Sequence, residues 1–305
     1  MRYVVTGGAG FIGSHLSDAL VRQGHEVVIV DDLSSSRKEN IVQLLSNKRV
    51  SFIEGSIVDL DLLLESFKGA DGIFHQAALV SVQKSIEHPV RNHEVNVTGT
   101  FNVLLAARNN SVRKVVCASS AAVYGNLPGL PKREDMPTDP LSPYAAAKLM
   151  DEYYASVFSR LYGMETVSLR YFNVYGPRQD PASEYAAVIP KFIDRVKNGQ
   201  PPIIYGDGDQ TRDFVFVEDV VQANVKAMES TAQGAFNVAS GKETSVNELA
   251  AVLCEIFAFS SPPLYVPERL GEVEYSVADI TKVKNGFGFE PKFRLRNGLA
   301  EMMLP

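Results

Sequence analysis

Cysteine is scarce in this 305-residue chain, and long apolar runs and basic clusters are missing altogether. Each shortage excludes a class of protein. The two thiols, Cys117 in KVVCASS and Cys254 in AVLCEIF, sit in segments expected to be buried and have no metal-ligand spacing, which fits a reducing cytoplasm. No stretch of 18 apolar residues occurs, so no membrane span is expected. The opening MRYVVTGGAG has no long apolar core with a cleavage site, so secretion is not expected either. The formal charge of -6, without any Lys/Arg-rich run, would on average repel phosphates and sets nucleic acid aside as a partner. His15, His25, His75, His88 and His93 are scattered, and no metal site is expected. What remains is 45% hydrophobic and 22% charged, ordinary for a packed soluble protein of about two domains.

Apolar, β-branched runs alternate with helical patterns along the first part of the chain. YVVTG, EVVIVDD, VSFIEGS, GIFHQAA, KVVCASS and TVSLRYF are separated by amphipathic segments near 11–23, 37–47, 60–68, 92–110 and 141–163. Strands apolar on both faces and separated by helices predict an α/β fold, a Rossmann-like doubly wound parallel sheet covered on each side. After about residue 172 Pro and Gly become denser, in YGPRQDPASEY and NGQPPIIYGDGDQ, and a smaller C-terminal α/β domain is expected. RDFVFVED at 212–219, followed by the helical VVQANVKAME, reads as a return to the first domain. The expected division is therefore 1–172 plus about 212–238 against about 173–211 plus 239–305. There is no internal repeat.

The first strand runs straight into TGGAGFIGSHL. Gly7, Gly10 and Gly13 are spaced G-x-x-G-x-x-G, and Gly8, Gly10 and Gly13 also satisfy G-x-G-x-x-G. Glycine is needed where a tight turn, a pyrophosphate and a helix–strand contact each require bare backbone. The helix opening at Phe11, with Ile12 and Gly13, offers free N–H groups and a positive dipole end to phosphates. Asp31 stands 18 residues beyond Gly13, close to the distance expected for a carboxylate that accepts hydrogen bonds from an adenosine ribose. A 2′-phosphate beside it would meet like charge, at about 4 kcal/mol for a pair 4 Å apart at an effective dielectric near 20. Asp32 adds a second carboxylate, so NAD is expected over NADP; either aspartate could instead cap the next helix.

Farther along, CASSAAVYG ends the fifth strand, which puts Ser119 and Ser120 at the carboxyl edge of the sheet, where α/β ligands bind. Tyr144 lies 24 residues after Ser120 in LSPYAAAKLM, and Lys148 follows at i+4, on the same helix face. Ionising a phenol near neutral pH requires lowering a pKa of about 10 by some three units, or about 4 kcal/mol, and one ammonium at close range acts on that scale.

With these motifs in place the chain closely resembles the extended short-chain dehydrogenase/reductase superfamily and, within it, the UDP-sugar 4-epimerases. TGGAGFIGSHL, DDLSSSRKENI, HQAALVSV, EVNVTGT, SSAAVYG, SPYAAAK, LRYFNVYGPRQDP and RDFVFVEDV carry the likeness over nearly the whole chain. The resemblance implies Ser120, Tyr144 and Lys148 as the catalytic set, with the alanines between them small so that cofactor and sugar can approach. It implies Ser35, Ser36, Ser56, Ile57, Gln76, Ala77, Asn96, Ser119, Tyr171 and Phe172 in the cofactor pocket, with Ser56 where many relatives carry an aspartate. It also implies that Asn173, Val188, Tyr205, Arg212 and Arg269 hold uridine diphosphate, the arginines through their fixed donor forks. Ser276 would set the room around the sugar, since hexose-restricted relatives carry a tyrosine there. The dehydratases of the superfamily have an Asp-Glu pair where this chain has Ala121 and Ala122, and the decarboxylases a nearby glutamate; neither chemistry is expected. The implied reaction is C4 inversion of UDP-glucose and UDP-galactose, and of UDP-GlcNAc and UDP-GalNAc, through a 4-keto sugar. UDP-glucuronate 4-epimerase, a nucleotide-sugar dehydrogenase or reductase, and a non-catalytic binder are the alternatives. Family members pair through two helices each, and segments 92–110 and 141–163 are the candidates for a homodimer.

Overall fold

The computed structural model describes residues 1–179, 188–268 and 274–303. Seven strands form one parallel sheet: β1 (Arg2–Thr6), β2 (Glu26–Asp31), β3 (Val50–Glu54), β4 (Gly72–His75), β5 (Lys114–Ser120), β6 (Glu165–Tyr171) and the late strand Gly234–Val238. Across the sheet the order is Gly234–Val238, β6, β5, β4, β1, β2, β3. Val4 of β1 lies between Val28 and Ile73 of its neighbours. Side chains alternate between faces, so Val4, Val28, Ile73 and Val115 enter one core while Val5, Ile29, Phe74 and Val116 enter the other. Two buried faces are why these strands read as unbroken apolar runs.

Helix Phe11–Arg22 (α1) and helix Pro143–Tyr162 lie within two residues of the segments that periodicity marks. The latter starts cleanly because Ser142 accepts a hydrogen bond from Ala145 N and Pro143 takes the first turn; it stops at Gly163, left-handed at φ 68°. Elsewhere the outcome differs. Segment 37–47 shrinks to the 3-10 turn Lys38–Ile41 and the single α turn Val42–Leu45, which bury only Ile41 and Leu44. Segment 92–110 is not one α-helix: Pro89–Asn92 leads into a π-helical stretch, His93–Thr98, before Gly99–Asn109. Inside that wider turn Asn96 is bonded to Asn92 and to the backbone of Leu79, contacts that a regular helix surface does not supply.

RDFVFVED is not one strand: Arg212 ends the strand Thr211–Arg212, Phe214–Phe216 forms another, and Val217 already opens the helix Val217–Glu229, whose Glu218 and Asp219 suit a helix N-terminus. Phe214–Phe216 pairs with Asn173–Tyr175 outside the main sheet. Phe214, Phe216 and Val217 pack with Phe192, Ile204 and Leu249 in a separate core. Helix Val217–Glu229 and strand Gly234–Val238 then bring the chain back to the main sheet, where that strand pairs with β6.

Candidate active site

β1 and β4 are neighbours although β2 and β3 come between them in sequence, so the strand order reverses there and a crevice opens at their carboxyl ends. Gly7 begins the loop beyond β1 at φ 67°, and a Cβ on it would meet Ala77 N at 2.6 Å. A Cβ on Gly13 would meet Gly7 O at 2.1 Å. Protein packing alone demands both glycines. Gly10 differs: only Gly7 O, at 3.1 Å, lies near its missing Cβ. As N-cap of α1 it supplies no side-chain acceptor, so the first-turn N–H groups of that helix face the crevice without a side-chain cap. Phe11 and Ile12, in that turn, pack toward the second core.

Asp31 closes the loop from the β2 side. Buried, it accepts Ala9 N at 2.9 Å on one oxygen, and Leu33 N at 2.9 Å and Ser36 Oγ at 2.6 Å on the other. A carboxylate has about four lone-pair sites, so one stays open. Asp32 is spent on its own turn, accepting Ser34 N and Ser34 Oγ, and Ser35 is exposed. The uncapped helix start, the side-chain-free space at Gly10 and the spare acceptor on Asp31 fit a dinucleotide with free ribose hydroxyls.

Further residues line the same end of the sheet. Ser56 Oγ accepts Val58 N at 3.3 Å, and Ile57 is buried under Gly99. Gln76 sits between Tyr171 and Asn224, accepting from the Tyr171 hydroxyl at 3.2 Å and donating to Asn224 Oδ1 at 3.0 Å. Asn96, fully buried, holds Leu79 by both its N–H and its carbonyl, and so shapes the loop after Ala77. Phe172 stacks loosely on Tyr124, ring centroids 6.4 Å apart.

Helix Pro143–Tyr162 packs along β5 and β6. Tyr144, Lys148, Asp151, Ala155 and Phe158 form its buried stripe at helical spacing. Tyr144 donates its backbone N–H to Ser85 Oγ at 3.1 Å, and Lys148 Nζ donates to Ala118 O of β5 at 3.0 Å. Alternation along β5 then parts the two serines: Ser119 Oγ donates to Glu152 at 2.5 Å, whereas Ser120 turns the other way. Ser120 Oγ accepts Ala122 N at 3.2 Å as an N-cap, leaving its own proton for a ligand. Ala145 and Ala147 are 2% and 3% exposed, so their smallness serves close packing of this helix on the protein rather than ligand approach.

The positions expected to hold uridine diphosphate fall on separate elements of the later chain. Asn173 is exposed, its N–H bonded to Asp213 O. Val188 opens the helix Val188–Lys197, Tyr205 ends the strand Ile203–Tyr205, and Arg212 donates to Thr211 O at 2.8 Å. Arg269 lies outside the described residues. Ser276 is half-buried on a segment pinned at both ends, by Thr211 N to Glu274 O and by Ala278 N to Asp213 Oδ2 at 3.2 Å.

Several site-building residues were missed from sequence. Asp213, fully buried, also accepts Ser240 N, Ser240 Oγ and Gly241 N. Glu152 ties Ser119 to Arg170, which lies 4.8 Å over the Tyr124 ring. Asp151 stands beside Lys148. A charge placed inside an apolar run, as in RDFVF, was the available signal. Cys117 is buried, with its thiol pushed up to about 12 by burial, while Cys254 is only partly buried. Among the described residues no three His, Cys, Asp or Glu side chains gather as metal ligands, and no helix is long and apolar enough to cross a membrane.

A parallel doubly wound sheet, a glycine loop on an uncapped helix and a buried Tyr–Lys pair define a dinucleotide-binding enzyme of the Rossmann class. The chain belongs to the NAD dependent epimerase/dehydratase family, whose profile matches residues 3–239, and NAD is its cofactor. It is 44% identical over 305 residues to the UDP-glucose 4-epimerase of Mycolicibacterium smegmatis, covering 99% of this chain and 97% of that one. A UDP-N-acetylglucosamine 4-epimerase from Methanobrevibacter ruminantium M1, solved with UDP-N-acetylmuramic acid, superposes with TM-score 0.95 at 41% identity, covering 99% and 96%. The UDP-glucose 4-epimerase of Thermotoga maritima, solved with UDP-glucose, gives 0.94 at 40%, covering 99% and 97%.

Proposed function

We propose that the protein is a UDP-hexose 4-epimerase that interconverts UDP-glucose and UDP-galactose and, through the room beside Ser276, UDP-GlcNAc and UDP-GalNAc. The observation that carries this reading is the single buried stripe holding Tyr144 and Lys148, set against the end of β5 where Ser120 keeps a free hydroxyl proton. Relatives that are 4-epimerases of UDP-glucose and UDP-N-acetylglucosamine support it. NAD, when bound, supplies an acceptor for hydride from sugar C4 and a donor for its return. Gly7, Gly10, Gly13 and the first turn at Phe11 would hold its pyrophosphate and Asp31 its ribose, with Ser36, Ile57, Gln76, Ala77 and Asn96 shaping that side.

The protein's own part is proton handling and orientation. Tyr144 Oη takes the proton of the sugar 4-hydroxyl and later gives it back; Ser120 Oγ donates to the same oxygen and holds it in line. Lys148, one turn beyond Tyr144 on the same buried stripe, brings positive charge to that face of the helix. Ala121 and Ala122 leave no second acid–base pair at the strand end, so elimination of water has no group to carry it. Asn173, Val188, Tyr205 and Arg212 would fix the uridine diphosphate while the hexose turns. Tyr144→Phe removes one oxygen from a packed side chain, and a loss of about 10²–10⁴ in kcat is expected with the melting curve unchanged. Interconversion of UDP-galactose at the unaltered rate would reject the assignment.

The pairing of two copies belongs to the same proposal. On helix Pro143–Tyr162, Met150, Tyr153, Val157 and Leu161 are exposed on one stripe, opposite the buried one. Such a stripe is what a two-helix contact between protomers would cover.

A further inference from the structure

We propose that Asp151 is a positioning residue for Lys148: its buried carboxylate fixes the lysine side chain, offsets part of its charge, and so sets how readily the Tyr144 phenol ionises. The inference rests on the proton-handling reading above. Asp151 is 2% exposed on the same stripe, one turn beyond the lysine, and its Oδ2 accepts from Lys148 Nζ at 3.4 Å. The Thr100 hydroxyl also faces the carboxylate and favours its charged form. Thr100 is bonded at 2.9 Å to His75 Nε2, whose Nδ1 is 2.7 Å from Thr6 Oγ1. A chain of polar groups thus runs from the end of β1 through β4 and helix Gly99–Asn109 to the lysine, wholly inside the protein.

Lys148 already donates to the Ala118 carbonyl, so burying a carboxylate 3.4 Å from it costs desolvation that the need for a lysine partner does not explain. The charged and titratable groups facing it are Lys148 and Glu152 on its own helix, Cys117 on β5 and His75 on β4. His75 is held neutral, down to about 3, chiefly by burial, and the thiol of Cys117 is protonated. Arg170 on β6 is engaged by Glu152 at 2.7 Å. Lys148 and Asp151 therefore form one isolated charge pair. Burial pushes the carboxyl up to about 6 against the opposing pull of Lys148.

The sign follows. Asp151 ionised adds a negative charge seven residues from Tyr144, about 10 Å along the helix, and resists the phenolate; Asp151→Asn removes that charge. The test labels the protein as purified with tyrosine carrying ¹³C at Cζ, assigns Tyr144 by its loss in Tyr144→Phe, and follows it against pH. In Asp151→Asn the Tyr144 midpoint should fall by about one pH unit, and in Asp151→Glu it should return to the unaltered position. The acid limb of the UDP-galactose rate profile should move by the same amount in the same direction. An unchanged or raised Tyr144 midpoint in Asp151→Asn overturns the proposal. Should that variant fail to fold, the smaller, uncharged Asp151→Ser takes its place: the Tyr144 midpoint should fall there too, and an unchanged or raised midpoint overturns the proposal. The spectra need no turnover, so a protein that shows the shifts but no epimerisation would keep the role of Asp151 and lose the proposed reaction.

Discussion

Ser276 shows how much one side chain decides. It stands half-buried on a segment that Asp213 and Thr211 hold in place, so its size is not absorbed by movement of the backbone. Ser276→Tyr is expected to lower kcat/KM for UDP-GalNAc at least tenfold relative to UDP-galactose, since a steric misfit in a pocket is worth about 1–3 kcal/mol. Parallel rate measurements with both substrates check this; an unchanged ratio would remove Ser276 as the gate. Residues with local signatures were legible in the sequence: the glycines between strand and helix, Asp31 at the end of β2, and Tyr144 and Lys148 four apart. Asp151, Glu152 and Asp213 were not. Their spacing reads as a solvated helix face or a strand end, and only tertiary packing makes them buried, with partners in distant segments such as Arg170 and Ser240. Of the alanines in LSPYAAAK, Ala145 and Ala147 are closed off by protein and Ala146 is only partly so, a difference that a sequence does not carry.

Among the elements, helix Pro143–Tyr162 has two contrasting faces. Its inner stripe carries Tyr144 and Lys148, the groups proposed to react, and its outer stripe, Met150, Tyr153, Val157 and Leu161, meets solvent in the single chain. Replacing Tyr153 and Leu161 together by arginine places charge on that outer stripe without touching the inner one. The expected outcome in sedimentation velocity is a dimer for the unaltered protein and a monomer for the double variant; the same sedimentation for both would contradict pairing through this helix. The ends of this helix were legible because its caps, Ser142 and Gly163, are local chemistry. The π-helical His93–Thr98 was not, since Asn92 and Asn96 take that shape through bonds to Pro143 and Leu79, residues distant in sequence. The two-residue alternation of Phe214–Phe216 likewise gives no notice that the helix begins at Val217.

At the scale of the whole molecule, a sheet with two buried faces carries the dinucleotide loop, a separate core carries the residues expected at the uridine diphosphate, and Asp213 links the two sides by gripping Ser240, Gly241 and Ala278. The class of fold was plain from the alternation of apolar runs and helices. The weaving of residues 173–238 between the cores was harder to see, because pairing of Asn173–Tyr175 with Phe214–Phe216 is a long-range choice with no local mark. In the proposed reaction hydrogen leaves C4 of the sugar and returns to the same carbon without entering solvent. Turnover of UDP-galactose carrying deuterium at C4, followed by NMR of the UDP-glucose formed, tests that most directly. Full retention of deuterium at C4, with no accumulation of NADH, is the predicted result; loss of the label to water, or NADH formed in step with product, would contradict it.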